Sequence, residues 1–508
     1  MKKFESTNRK PKISSVSLLI GIHLVVLMIR IIYVQSGHLE LHSEEAQYWN
    51  WSKHLQLSYY SKPPLIAYLN HLSTSVLGDT ELGIRINAII IGFLISMVTY
   101  LFCLEIFRNP KKAFWASLLT CAMPFFQITS VFFLTDSPLI LFWLLSLYFF
   151  RRAIHRNRNS DWLAFGISFG FGILAKYAIL FLIPFFIWFS VRTNSNFLRN
   201  RKFYWSLGIA SLMFLPILVW NFQQEFVGFK HLAKLSGVTS NHYSFGKVIY
   251  NLLEYILGQL VLLSPFYLGL YMPGVRKYFK AKDAKEMQFL LLPPILVFLS
   301  FLGVAILNQK GTYINWAMFS YATVPILLTH WAFESNKLRQ LLIGSIFTIA
   351  YTIIIGNLSY LDHLGFRNLI PPKNDPVGKL TGWKKLAQKV EEVSMNLPRD
   401  SCFVFATNYH ITSEMGFYLK NQPPVYFVNL RSRMTQYDLW PGVEQYKDQG
   451  YYGIYVNYRE INVEVKKSFN EILSVHYCPV IYRDVQIRNF HIYVLKDFKG
   501  LEEQHSSY

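Results

Sequence analysis

Over its first 360 residues the chain alternates long apolar runs with short polar loops, and after that the apolar runs stop. A helix needs about 20 apolar residues to cross a bilayer. By that measure spans are expected near Val16 to Val34, Arg85 to Phe107, Ala113 to Ser130, Pro138 to Phe150, Trp162 to Leu174 and Ala178 to Val191. Others follow near Trp205 to Asn221, Asn251 to Tyr271, Phe289 to Leu307, Trp316 to Trp331 and Leu341 to Tyr360, about eleven in all. The fifth and sixth are short and form a hairpin around Lys176-Tyr177. The first run follows a basic stretch from Met1-Lys2-Lys3 to Arg9-Lys10-Pro11-Lys12. It is longer than the apolar part of a secretory signal and no small-x-small cleavage site follows it, so it is expected to stay as a signal anchor.

Residues 361–508 read as a soluble α/β domain behind the linker Pro371-Pro372-Lys373-Asn374-Asp375-Pro376. Helices are expected over Trp383 to Met395, Ile411 to Leu419 and near Val463 to Ile472. Strands are expected over Cys402 to Ala406, Val425 to Val428, Gly453 to Asn457, Ser474 to Arg483 and His491 to Leu495. The fold class is therefore a polytopic α-helical membrane protein, residues 1–360, with a C-terminal extracytoplasmic α/β domain.

Composition supports that division. The 508 residues are 52% hydrophobic and 17% aromatic, and a mean hydropathy of +0.24 is high for a soluble chain of this size. The net charge of +20 does not indicate nucleic acid, because the Lys and Arg residues are scattered through loops and form no single stripe. They cluster in alternate loops: the N-terminal tail, Arg108 with Lys111 and Lys112, Arg151 to Arg158, Arg192 to Lys202, and Arg276 to Lys285. Cytoplasmic loops retain such residues, so the N-terminus is expected inside. The loop of residues 35–84, the turn at Asp136, the hairpin at Lys176, the segment near Lys310 and the C-terminal domain are expected outside. Cys103 and Cys121 fall in apolar runs as packing residues. Cys402 and Cys478 lie in the polar region, where a disulfide between them is open.

One outer loop carries most of the polar chemistry: Ser43-Glu44-Glu45-Ala46-Gln47-Tyr48-Trp49, then Leu57-Ser58-Tyr59-Tyr60-Ser61-Lys62-Pro63-Pro64-Leu65. Carboxylates in an exposed loop are usually just solvated. Here the aromatic neighbours give the segment an interfacial character, where a carboxylate is costly unless it is paired or used. Consecutive side chains on a helix project about 100° apart, so one of the two points into a given pocket. Glu44 is taken as a general base and Glu45 as its orienting or structural neighbour, with the reverse, or neither as base, left open. Asp136, in Leu134-Thr135-Asp136-Ser137-Pro138, suits a helix entry and, without excluding that, a third acidic member facing Glu44. Lys62, Arg85, Lys176 and Lys310 are the cations of this side, suited to a lipid phosphate or simply to anchoring at headgroups. His42, His54 and His71 have spacings unlike zinc ligands, and no metal is expected.

These segments resemble bacterial membrane glycosyltransferases of the protein-mannosyltransferase type, families 39 and 83, which include the aminoarabinose transferase acting on lipid A. Leu134-Thr135-Asp136-Ser137-Pro138 is similar to their second acidic motif and Gly172-Ile173-Leu174-Ala175-Lys176-Tyr177 to the hairpin after it. Asn315-Trp316-Ala317, Phe417-Tyr418-Leu419 with Pro423, and Gln436-Tyr437-Asp438-Leu439-Trp440 extend the likeness. The resemblance implies a GT-C fold and inverting transfer of one sugar from a polyisoprenyl-phosphate donor to a hydroxyl of a glycolipid, glycan or protein. It implies Glu44 as base where the family carries Asp, helped by Asp136 and Glu45, and Lys62, Arg85, Lys176 and Lys310 on the donor phosphate. Tyr48, Trp49, Tyr59, Tyr60 and Trp316 would line the substrate. At the position before the lysine, commonly acidic in the family, this chain has Ser61. No cofactor is implied beyond the lipid-linked sugar, and the expected location is a bacterial inner membrane. The alternative class is a lipid or solute transporter, which should break its helices near the midplane and show repeat symmetry; here the ionisable residues gather at the outer edge.

Overall fold

The computed structural model describes residues 15–193, 199–235, 245–280, 285–307, 314–363, 365–366, 370–398 and 401–502. The first helix, α1 (Ser15–Gln35), is followed by two short helices in the outer loop, α2 (Ser43–Lys53) and α3 (Leu65–Leu77), and then by the long α4 (Glu81–Phe107). Next come α5 (Pro110–Thr120), α6 (Pro124–Thr129), α7 (Asp136–Arg156), α8 (Asn159–Ala175), a 3-10 turn at Tyr177–Phe181 and α9 (Leu182–Thr193). The helical part continues through α10 (Arg201–Gln223), α11 (Val227–Leu235), α12 (Phe245–Leu263), α13 (Pro265–Lys280) and α14 (Lys285–Leu307). It closes with a 3-10 segment at Ile314–Thr323, α15 (Val324–Glu334), α16 (Leu338–Gly356) and α17 (Ser359–His363).

Among the described residues, α1, α4, α7, α10, α12, α14 and α16 are long and apolar enough to cross a membrane, seven in number. Several expected spans are built otherwise. The run Ala113 to Ser130 is two helices, because Pro124 lacks an N–H and starts α6 anew. Asn251 to Tyr271 breaks at Ser264, whose φ of +68° ends α12 just before Pro265 opens α13. Trp316 to Trp331 begins as a 3-10 segment and becomes α-helical only at Val324.

The two ends of the helical body differ in charge chemistry. At one end Arg151 of α7 bonds Glu286 of α14 at 2.8 Å and reaches Glu105 of α4, while Arg156 also binds Glu105 and Lys112 binds Glu334. At the other end the start of α4, the start of α7 and the end of α8 converge below α2 and α3, on an aromatic core that includes Tyr48, Trp51 and Tyr59.

The C-terminal part holds α18 (Trp383–Ser394), β1 (Cys402–Ala406), α19 (Tyr409–Tyr418), β2 (Val425–Phe427), β3 (Tyr452–Asn457), α20 (Val463–Lys467), β4 (Phe469–Tyr482) and β5 (Val485–Phe498). They form one sheet in the order β2-β1-β3-β5-β4, parallel among the first three strands and antiparallel at β3–β5 and β5–β4. The helix expected to reach Ile472 stops at Lys467, since Phe469 pairs with Phe498 and starts a long hairpin. Cys402 and Cys478 are both free thiols. Helices α18 and α19 cover one face of the sheet, and α19 in turn lies on α2. Phe417 meets Trp49 edge to face at 5.1 Å. A Cβ added at Gly416 would come within 3.1 Å of the Asn50 side-chain amide, so a larger residue here requires that amide to give by a few tenths of an ångström.

Candidate active site

The first turn of α2 fixes the geometry. His42 caps the helix: its Nδ1 accepts from the Glu44 N–H, and its own N–H donates to Glu45 Oε2 at 3.0 Å. Glu45 also accepts the Phe133 N–H at 2.9 Å and forms a fork with Arg85 of α4, whose Nη2 lies 2.8 Å from Oε2. Both side chains are 0% exposed. The remaining donors of Arg85 go to the carbonyls of Leu39 and Glu40. These contacts hold the Arg85 guanidinium on Glu45 and two carbonyls, away from the phosphate-binding place expected of it, and give Glu45 the structural place beside Glu44 that was one of its expected roles. Glu45 is a structural tie joining α2, α4 and the loop before α7, and Arg85 is its buried counter-ion.

Locking Glu45 turns Glu44 the other way. Its half-buried carboxylate accepts from the Tyr48 hydroxyl at 3.3 Å, and it lies close enough to Lys62, His42 and Lys176 to feel their charges. Burial pushes the Glu44 carboxyl up, but those cations and the Tyr48 hydroxyl outweigh it and hold the carboxyl below its ordinary value. Asp136 opens α7, buried, with both oxygens on Lys176 Nζ at 2.8 and 2.9 Å. Lys176 sits where α8 gives way to the 3-10 turn, at extended backbone angles that aim it back at α7. Lys62 is half-buried and makes no ion pair among the described residues. Burial, and then the neighbouring Lys176 and Arg433, lower its ammonium from the usual lysine value, against the pull of Glu44 and Asp136. Glu44, Asp136, Lys62 and Lys176 thus form one electrostatic cluster.

The expected aromatic lining divides. Tyr48 reaches Glu44 and belongs to the cluster. Trp49 donates to Asp79 at 2.8 Å and packs on Phe417, at the domain contact. Tyr59 stacks on Trp51 at 4.6 Å and gives its hydroxyl to the Trp51 carbonyl, which makes it framework. Tyr60 faces His231 at 4.6 Å, and its N–H donates to Gln436 of the α/β domain. Trp316 is linked to the hairpin of Lys176 through Phe301 and Phe181, at 5.6 and 5.5 Å between rings. Lys310 lies outside the described residues. His54 and His71 are engaged locally, with Trp440 and the Ser52 carbonyl.

Three neighbours had no signal in the sequence. His410 of α19 bonds Ser43, the residue before Glu44, and burial pushes its imidazole down to about 4. Arg433 is placed to act on Lys62, His231 and His410. His231 of α11 is buried against Tyr60. They arrive from positions remote in sequence, and neither spacing nor periodicity marks them.

Residues 61–220 match the dolichyl-phosphate-mannose-protein mannosyltransferase family. The chain is 27% identical over 308 residues to the lipid A galacturonosyltransferase RgtD of Rhizobium johnstonii, covering 59% of this chain and 62% of that protein. It is 27% identical over 225 residues to the undecaprenyl phosphate-alpha-4-amino-4-deoxy-L-arabinose arabinosyl transferase of Pseudomonas savastanoi pv. phaseolicola, 41% of each chain. The match spans less than two thirds of either relative. The fold is similar to that of ArnT from Cupriavidus metallidurans bound to undecaprenyl phosphate, with a TM-score of 0.66 at 13% identity, over 94% of this chain and 97% of that one. The apo structure of the same protein gives 0.62 at 15% identity. The chain therefore shares its overall fold with these structures. The protein is an integral membrane protein with seven helices, among the described residues, long and apolar enough to span, and the matched stretch contains Lys62, Arg85, Asp136 and Lys176 while Glu44 and Glu45 precede it.

Proposed function

We propose that the protein is a glycosyltransferase moving one sugar from a polyisoprenyl-phosphate donor to a hydroxyl of an envelope glycolipid, with inversion. The observation that carries this reading is the coupling of the Glu44 carboxylate with Lys62 and Lys176 in one cluster. A base beside phosphate-neutralising cations is what the displacement requires. Glu44 takes the proton of the acceptor hydroxyl as that oxygen bonds to the anomeric carbon. The bond from that carbon to the phosphate oxygen breaks, and its electron pair leaves with the lipid phosphate. Lys62, free of ion pairs among the described residues, receives the phosphate. Lys176 is shared between it and Asp136, which holds the lysine in place. Two ammonium groups supply the charge a divalent cation would bring, so the proposal includes no metal.

The names of the relatives, a lipid A galacturonosyltransferase and undecaprenyl-phosphate aminoarabinose transferases, support this donor and a lipid-linked acceptor. The basic loops at the opposite end of the helical body support the site facing away from the cytoplasm of a bacterial inner membrane, with the N-terminus inside. On this reading residues 1–360 are the membrane domain and 361–508 an extracytoplasmic domain that closes over the site.

The test is reconstitution of the purified protein with undecaprenyl-phosphate sugars and an envelope glycolipid extract. Donor is consumed by the wild type and not by Glu44→Gln; if no donor is consumed, or if the Gln variant is fully active, the reading fails.

A further inference from the structure

Helix α19 carries a carboxyl that the proposed chemistry does not use. Glu414 is 0% exposed, and neither of its oxygens has a hydrogen-bond partner among the described residues. It sits in the contact between the α/β domain and the helix that bears Glu44. One turn before it, His410 bonds the Ser43 hydroxyl; beside it, the Ser413 hydroxyl donates to the Ser43 carbonyl at 3.3 Å. Beyond it, Gly416 meets Asn50 and Phe417 meets Trp49.

The charges that reach Glu414 come from every side of this contact: Glu40 before α2, Glu45 in α2, Arg85 in α4 and Arg488 in β5. The phenols of Tyr418, Tyr437 and Tyr458 are coupled to it as well, and burial raises all three above the usual tyrosine value, so they stay neutral. With Glu414 neutral, two carboxylates stand against two guanidiniums. Ionised, it would add a third carboxylate with no donor to receive it, in a contact that excludes water. Burial first, and then Glu40 and Glu45, push its carboxyl well above the ordinary range.

We propose that Glu414 is a positioning residue: its protonated carboxyl keeps the first turn of α2, and Glu44 with it, seated on the α/β domain, and its ionisation loosens that seat. The functional meaning rests on reading Glu44 as the base, but the seat itself is measured without turnover. The seated state keeps a proton that the unseated state gives up. Seating is therefore strongest below the ordinary glutamate value and weakens as pH rises towards the seated-state value, by up to about tenfold per pH unit. His410 acts in the opposite sense. Neutral when seated, it supports the contact above its ordinary value, and that support is lost as pH falls towards about 4.

Hydrogen exchange of the α2 amides in the full-length protein, in lipid nanodiscs, separates the two. The ratio of protection factors, wild type over Glu414→Gln, cancels the His410 contribution, which is common to both. From the ordinary glutamate value upward that ratio is expected to fall as pH rises, by up to about tenfold per unit, and to level off at the seated-state value. A ratio constant with pH overturns the proposal. If the Gln variant does not fold, Glu40→Gln serves instead. Removing one repelling carboxylate lowers the seated-state value of Glu414, so the wild-type decline should level off at a lower pH, and an unchanged profile overturns the proposal. A fully active Glu44→Gln variant beside a pH-dependent exchange ratio would count against the catalytic reading of Glu44 and not against the seat.

Discussion

Replacing Glu45 by glutamine keeps the shape of the side chain and removes its charge. Arg85 is then left at 0% exposure with an uncompensated guanidinium, its two backbone acceptors unchanged. Breaking a buried pair from one side costs about 3–5 kcal/mol, most of it the penalty of the stranded charge. Unfolding entropy of about 2.1 cal/mol/K per residue gives roughly 1 kcal/mol/K over a chain of 508 residues. The melting midpoint should therefore fall by about 3–5 °C if the chain melts as one unit, and further if the outer loop and α4 melt as a smaller one. The assay is thermal unfolding in detergent, read by intrinsic tryptophan fluorescence. The partner test is Glu45→Leu with Arg85→Met. It removes both charges but leaves the N–H groups of His42 and Phe133 without an acceptor, so it should fall between the wild type and Glu45→Gln. Transfer activity per folded molecule of Glu45→Gln should stay within about tenfold of wild type, since the carboxylate does not face the cluster. A Glu45→Gln midpoint within 1 °C of wild type, or strictly additive single changes, would refute the reasoning.

Glu44→Gln should lower kcat by about 100-fold to 10,000-fold with the fold intact, the usual loss of a general base. Because its neighbours hold the Glu44 carboxyl below the ordinary value, the base loses its charge only as pH falls through that depressed value, and the acid limb of kcat/KM should lie below about pH 4.3. Lys62 has a lowered ammonium, so the positive charge on the phosphate site disappears as pH rises through a value under the ordinary 10.4 or so. Lys62→Arg should move that alkaline limb upward, and an unmoved limb assigns it to another group. Asp136→Asn should free Lys176 and raise KM for the donor more than it lowers kcat, measured with undecaprenyl-phosphate sugar. Treatment with EDTA should leave the rate unchanged, and restoration of a lost rate by Mg2+ or Mn2+ would argue against transfer by lysines alone.

The apolar runs made α1, α4, α10 and α14 legible because burial in lipid leaves a continuous signal. The strands β1, β2 and β3 were equally plain from their short apolar blocks. What escaped was decided elsewhere in the chain. Phe469 to Ile472 has helical spacing, yet it pairs with β5 across the turn at Arg483-Asp484, both at positive φ. In the site, adjacency marked Glu44 and Glu45 as a pair but could not say which one faced Lys62 and Lys176. That choice was made by Arg85, forty residues away, together with the Phe133 N–H. Arg85 is an instance of the same limit: a cation at the outer end of a span looks identical in sequence whether it receives a ligand or a buried carboxylate. His231, His410 and Arg433 carry no local mark at all, since they reach the cluster only through the packing of α11, α19 and the loop after β2.

The grip of α19 on α2 bears on how such proteins are recombined. The helix with the proposed base takes its seat from a domain encoded some 370 residues later, through Ser43 with His410 and Ser413. A chimera that joins this membrane body to another relative's C-terminal domain would inherit a mismatched seat. Grafts should therefore exchange residues 40–50 and 409–437 together, treating them as one cassette split across the gene.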